Sequence, residues 1–266
     1  MFEWLLPVIG FLIGAVAALT GIGGGVFIVP FLTLFYAFEP ANASGTSLTT
    51  IIFTAVASTL NYWRQKRIYF RTGLALAVTT APGAVLGAYL TTVIPGKILG
   101  LIFGFFLILV ALRMAITSDP FRRKPTIEKP AQPEAKSDGE FIRLKKTVIE
   151  GSFLSFFGGL ASGLLGIGGG VLLVPIMTLV MGMPIHIATA TSMFTMIFTS
   201  VSGVTQHYFA NHISLEYALP LAMGTVLGAQ AGAYVSKRVS SKNLRGIFGL
   251  MLIVVSIQMI TKYVML

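Results

Sequence analysis

The chain of 266 residues contains no cysteine, which rules out disulfides and thiolate metal sites. Acidic side chains are scarce, nine Asp and Glu against nineteen Lys and Arg, and the formal net charge is +10. Only 11% of residues are charged and the mean hydropathy is +0.85, values that exclude an ordinary soluble domain. The long apolar runs carry no Asp, Glu or Lys in their interiors. They offer no paired carboxylates, no nucleophile–base pair and no metal cluster, so an enzyme is not expected, nor a metal, nor a cofactor. No buried acid stands out as a proton carrier. The positive charge lies between the apolar runs, where it orients a membrane protein, and nucleic acid is not an expected partner.

What is present is apolar sequence of spanning length. Runs of about 20 residues occur near 41–61, 72–92, 97–116, 186–206, 213–235 and 243–262. The start, Met1-Phe2-Glu3-Trp4, lacks the basic region of a cleavable signal, so the first apolar segment is expected to be retained. The expectation is an all-α, multi-pass protein of the cell membrane, with the lipid bilayer as its surroundings.

Two stretches organise the chain. Leu19-Thr20-Gly21-Ile22-Gly23-Gly24-Gly25-Val26-Phe27-Ile28-Val29-Pro30 returns at an offset of 145 as residues 164–175, with nine of twelve positions identical. The register continues: Thr46-Ser47 matches Thr191-Ser192, Gly83 and Gly87 match Gly228 and Gly232, and Ile102-Phe103-Gly104 matches Ile247-Phe248-Gly249. The chain therefore reads as a first repeat over 1–116, a flexible cytoplasmic linker over 117–146 rich in Pro and charge, and a second repeat over 147–266.

Loop charge orients the repeats. Arg64, Lys66, Arg67 and Arg71 crowd the loop after the second segment of the first repeat, whereas the equivalent loop 207–213 has no Arg or Lys. In the second repeat the charge moves to Lys237, Arg238, Lys242 and Arg245, one loop later. If cytoplasmic loops hold the positive charge, equivalent loops face opposite sides and the repeats have inverted topology. Each repeat then holds a glycine-broken first segment, re-entrant or bent, plus three transmembrane helices. Pro30, beyond the glycines, either kinks the second half of that segment or opens its helical part.

Four glycines in five positions predict a break in a helix, since each costs roughly 1 kcal/mol relative to alanine. In hydrocarbon a break is tolerated where its backbone is buried in protein or lines a cavity. A helix starting at Gly24 or Gly25 aims N–H groups and a positive dipole end at the break, and glycine lets an anion approach them. Close helix packing is the competing explanation for the glycines. A phosphate loop is excluded, because neither copy is followed by Lys-Ser/Thr. The expected substrate-binding set is Gly21, Gly23, Gly24 and Gly25 with Thr46 and Ser47, and Gly166, Gly168, Gly169 and Gly170 with Thr191 and Ser192. Hydroxyls at Thr46, Thr50, Thr54 and Ser58 share one helix face, repeated by Thr191, Thr195 and Thr199; they line a path or bond their own backbone. Asn61, Gln206 and His207 end the second segments and are weaker candidates at the rims.

On the paired Leu-x-Gly-Ile-Gly-Gly-Gly-Val-x-x-x-Pro blocks, with Gly45-Thr46-Ser47 and Ala190-Thr191-Ser192, the chain resembles the sulfite exporter TauE/SafE family along essentially its whole length. The resemblance implies secondary transport of a small sulfur-containing anion: sulfite, a sulfonate such as sulfoacetate, or thiosulfate. An anion channel with the glycine breaks as its filter is the alternative. Direction, homo-oligomerisation and the coupling ion, proton or sodium, stay open at this point.

Overall fold

The computed structural model describes residues 3–116 and 138–236, with residues 257, 260 and 261 beyond them. The sequence-predicted span at 243–262 lies largely outside the described residues, as do linker residues 117–137. Every regular element among the described residues is helical. A short 3-10 turn, Glu3–Leu5, leads into α1 (Leu6–Thr20), α2 (Gly25–Phe35), α3 (Pro40–Arg64), α4 (Phe70–Val93) and α5 (Gly96–Ile116). The pattern then repeats as α6 (Asp138–Leu165), α7 (Gly170–Pro175), α8 (Ile185–Phe209) and α9 (Leu215–Val235). Helix α6 starts at Asp138, so the stretch 138–146, read from sequence as linker, is the first part of that helix.

Helices α3, α4, α8 and α9, of 25, 24, 25 and 21 residues, are long and apolar enough to cross a bilayer. Side chains sort as lipid demands. Val78, Met223 and Leu227 stand exposed on the outside, while Thr46, Ser47, Thr54, Thr195 and Thr199 are buried within. Apolar surface on that scale is tolerable when lipid covers it.

The first segment breaks where the glycines predict. Helix α1 spans roughly 22 Å and α2 roughly 16 Å at 1.5 Å per residue, each short of a ~30 Å hydrocarbon core. Gly21, Gly23 and Gly24 take φ of 74°, 93° and 88°, and Gly166, Gly168 and Gly169 take 69°, 74° and 82°. Only glycine adopts this left-handed geometry without penalty. The other positive-φ residues pair at the same offset: Ala37 with Gly182, and Lys66 with Asn211. Pro30 lies inside α2, five residues past its start, whereas at Pro175 the α-helix gives way to a π-turn over Ile176–Val180. The π-turn absorbs the missing N–H of Pro175, whereas α2 continues as α-helix past Pro30.

Packing is exchanged between the repeats. Helix α1 lies along α9, and the equivalent α6 lies along α4. A Cβ at Gly228 would sit 1.9 Å from the Phe11 carbonyl oxygen, and one at Gly83 would sit 2.3 Å from that of Phe156. Gly14 against Thr225 is likewise matched by Gly159 against Thr80. These residues at i and i+4 are glycine because helix backbones touch there. The contacts Gly10–Leu221 and Gly14–Thr225 advance together, so α1 runs parallel to α9. Helix α3 also runs parallel to α9, through Ser214–Thr46, Thr50–Ala218 and Asn61–Gln230. By contrast α3 and α8, which are equivalent in sequence, run antiparallel: Gly45 meets His207 and Leu48 meets Gly203.

Candidate functional site

The two breaks meet at the centre of the bundle. A Cβ at Gly25 would fall 2.1 Å from the Gly166 carbonyl oxygen, and one at Gly170 would fall 2.3 Å from that of Gly21. Ile51 and Met196, equivalent residues of α3 and α8, close on the glycines: a Cβ at Gly168 would be 2.6 Å from Met196 Cε and 3.0 Å from Ile51 Cγ2. All residues of 21–25 and 166–170 are buried. Helices α2 and α7 start at Gly25 and Gly170, capped by Gly24 and Gly169, and no side chain caps either. In each, the third N–H already bonds the cap carbonyl, Phe27 to Gly24 at 2.9 Å and Leu172 to Gly169 at 3.1 Å, and helix geometry leaves the N–H groups of the two residues before it, Gly25–Val26 and Gly170–Val171, without an acceptor in their own helix. The predicted breaks and the competing explanation, close packing, coincide here: the glycines end helices, and they let two backbones touch.

Hydroxyls tie each break to the other repeat. Ser47 Oγ donates to the Gly166 carbonyl at 2.8 Å, and Ser192 Oγ donates to the Gly21 carbonyl at 2.9 Å. Ser192 also reaches the Thr189 carbonyl at 2.9 Å, so its single proton is shared. Thr46 Oγ1 accepts from the Ser214 N–H and Thr191 Oγ1 from the Tyr69 N–H, both at 3.1 Å. The structure thus sets the two serines against the breaks, committed to backbone carbonyls, while Thr46 and Thr191 accept from loop N–H groups of the other repeat. Further along the stripe, Thr50, Thr54, Ser58, Thr195 and Thr199 donate to carbonyls four residues back. For these the back-bonding alternative prevails.

The rim candidates separate. Asn61 belongs to an amide network with Gln65 and Gln230 at one end of the bundle. Gln206 is half-buried on α8. His207 is fully buried, and its Nε2 lies 2.9 Å from the Gly163 carbonyl oxygen. Tyr62, its equivalent, donates its hydroxyl to the carbonyl of Ala18, the equivalent of Gly163. Each of these side chains hooks the last turn before a break. Sequence reading missed Tyr62, and the signal was available: Tyr62 and His207 stand 145 apart, unlike in type but alike in reach.

A bundle of apolar helices, four of spanning length among the described residues, with two buried helix breaks that meet marks a polytopic membrane protein. The comparisons narrow the class. A sequence model described as sulfite exporter TauE/SafE matches residues 6–259, and the chain belongs to that family. A probable membrane transporter protein of Bacillus subtilis (strain 168), YunE, is 34% identical over 96% of each chain. A probable membrane transporter protein of Methanocaldococcus jannaschii is 27% identical over 91% of this chain and 89% of its own. One from Haemophilus influenzae is 29% identical over 98% and 100%. No solved structure matches.

Proposed function

We propose that the protein is a secondary transporter of a small sulfur-containing anion, held where the two glycine breaks meet and released by alternating access of two inverted repeats. The observation that carries this reading is the reciprocal pair Ser47–Gly166 and Ser192–Gly21, which makes one site from equivalent parts of both halves. Discontinuous helices at such a repeat interface suit an anionic substrate, because their first-turn N–H groups and dipoles supply positive potential. Gly23 to Gly25 and Gly168 to Gly170 would offer the N–H groups, and Thr46 and Thr191 the free hydroxyl protons. The family name and the transporter names of the relatives support the class and the sulfur chemistry. Burial of both breaks beneath Ile51 and Met196 favours an occluding carrier over the alternative, an open anion channel filtered by the glycines.

The inverted arrangement is supported by the antiparallel course of α3 and α8 and by the parallel course of α1 and α3. On this reading α1 and α2 enter and leave on one side, residues 1–116 and 147–266 are the repeats, and 117–146 lies in the cytoplasm. Lys66 and Asn211 are exposed and equivalent. Single cysteines at these positions should be labelled by an impermeant maleimide from opposite faces; labelling from the same face would refute the inversion.

Selectivity tests the site itself. A pyramidal or tetrahedral sulfur oxyanion presents three or four acceptor oxygens to donors converging from two sides, whereas acetate leaves some donors unpaired. An unsatisfied buried donor costs about 1–3 kcal/mol, a factor of roughly 5 to 150 in affinity. Purified protein should therefore bind sulfite or sulfoacetate more tightly than acetate by about that factor, and proteoliposomes should show saturable counterflow. Equal competition by acetate, or flux proportional to concentration, would reject the reading.

A further inference from the structure

The two ends of the bundle are built on one plan with one chemical difference. At the end carrying the basic loop, Tyr62 hooks Ala18 and the Arg67 guanidinium lies over the Tyr62 ring, 5.8 Å from its centroid. At the other end His207 hooks Gly163, and His212, the equivalent of Arg67, sets its ring 5.5 Å from that of His207. A fixed cation at one end thus corresponds to a titratable one at the other.

The hydrogen bonding dictates how many protons the pair can take. The Gly163 carbonyl only accepts, so His207 Nε2 carries a hydrogen and, in the neutral ring, Nδ1 is an acceptor. His212 Nδ1 lies 3.3 Å from His207 Nδ1 and supplies the hydrogen between them. It also lies 3.4 Å from Thr91 Oγ1, whose own proton goes to the Ala88 carbonyl at 2.7 Å. One added proton then belongs on His212 Nε2 and leaves this network intact. A second would set two N–H groups against each other and break it. The pair is a one-proton site.

It also lies against the breaks. Gly163 stands three residues, roughly 4.5 Å along the helix, before Gly166. The loop carrying His212 bonds Thr46 through the Ser214 N–H, one residue from the Ser47 that holds Gly166. A Cβ at Gly45 would come 2.5 Å from the His212 carbonyl oxygen; the equivalent residue is Ala190, and glycine here lets the histidine loop seat closely.

We infer that His207 and His212 form the proton site of the transport cycle, so that H⁺ is the coupling ion and binds at this mouth when the anion is held at the breaks. The inference rests on the anion-transporter reading above. Protonation gives this mouth the positive charge that Arg67 gives the other permanently. The surrounding groups allow it. Partial burial holds His212 below the ordinary histidine range, and Glu39 at the start of α3 opposes that shift. Helix α4 contributes the Thr91 hydroxyl, and α6 contributes the Gly163 carbonyl with no titratable side chain over 151–165. On α9, Glu216 is exposed and Tyr217 packs edge-to-face against Tyr36 and Phe38. An arriving anion raises the proton affinity of His212, and by linkage the proton raises that of the anion.

The test is sulfoacetate binding to the purified full-length protein between about pH 5.5 and 8, where both groups of the ligand stay ionised. Affinity should rise at least ~5-fold as pH falls, and sulfoacetate added near pH 6.5 in weak buffer should draw up to one proton per chain from a pyranine-reported pool. His212→Arg should hold the acid-side affinity at every pH, and His212→Gln the alkaline-side affinity. Binding without pH dependence or proton uptake, or an unchanged pH profile in both variants, would overturn the proton site while leaving the anion reading in place. No binding at any pH would overturn both.

Discussion

Adding one methyl group at Gly25 or Gly170 is expected to abolish transport and to destabilise the folded protein. The Cβ of Gly25→Ala would sit 2.1 Å from the Gly166 carbonyl oxygen, and that of Gly170→Ala 2.3 Å from the Gly21 carbonyl oxygen. Both obstacles are backbone, so no side-chain rotation relieves them. The breaks must separate, at about 1–3 kcal/mol for an overpacked core and more where a carbonyl is displaced. Separation also moves each carbonyl off its serine. Gly169→Ala is the informative comparison. There φ is 82° but the nearest atom, the Gly158 carbonyl oxygen, would be 3.3 Å away, so the expected cost is backbone strain of about 1–2 kcal/mol. Valine at Gly24, facing Ile13 Cγ2 at 3.0 Å, falls between the two cases. Thermal unfolding in detergent, read beside counterflow in proteoliposomes, ranks the four variants. Transport by Gly25→Ala at the wild-type rate would mean that the breaks do not meet as described.

Removing the serine ties should produce the second largest effect, and an unequal one. Ser47→Ala leaves the Gly166 carbonyl without its hydroxyl donor in a buried site, which costs about 1–3 kcal/mol. Ser192→Ala removes the equivalent donor from Gly21, but that proton was already divided with Thr189. The Ser47 variant should therefore lose more stability than the Ser192 variant. Because both ties hold one interface, the double variant should depart from the sum of the singles. Strict additivity in thermal unfolding, or equal losses from the two singles, would show that the two halves of the site are held independently.

Much of this was legible in the sequence for a simple physical reason: glycine has few uses inside an apolar helix. The four glycines at 21–25 and their copy marked the breaks, and the offset of 145 carried the register to Thr46-Ser47 and Thr191-Ser192. What the sequence could not disclose was partnership. Nothing in the string says that Ser47 serves Gly166 rather than Gly21, or that Gly83 seats on Phe156 of the other half. The start of α6 was also misplaced. Charged residues such as Asp138, Lys145 and Lys146 read as linker, yet a helix emerging from the hydrocarbon takes polar residues at its end without difficulty. The hydroxyl stripe left two readings open, since helical spacing aligns hydroxyls equally well for a lumen and for their own carbonyls.

The exchanged packing of α1 on α9 and of α6 on α4 bears on how the chain is assembled. Helix α1 leaves the ribosome before α9, and α9 supplies the surface it needs. Until α9 is inserted, the glycine-lined side of α1 has no backbone to rest against. Helix α6, by contrast, finds α4 already waiting. The first half is thus a template held open for the second: the first break waits for Gly166, Gly170 and Ser192, and the free side of α1 waits longer, for α9.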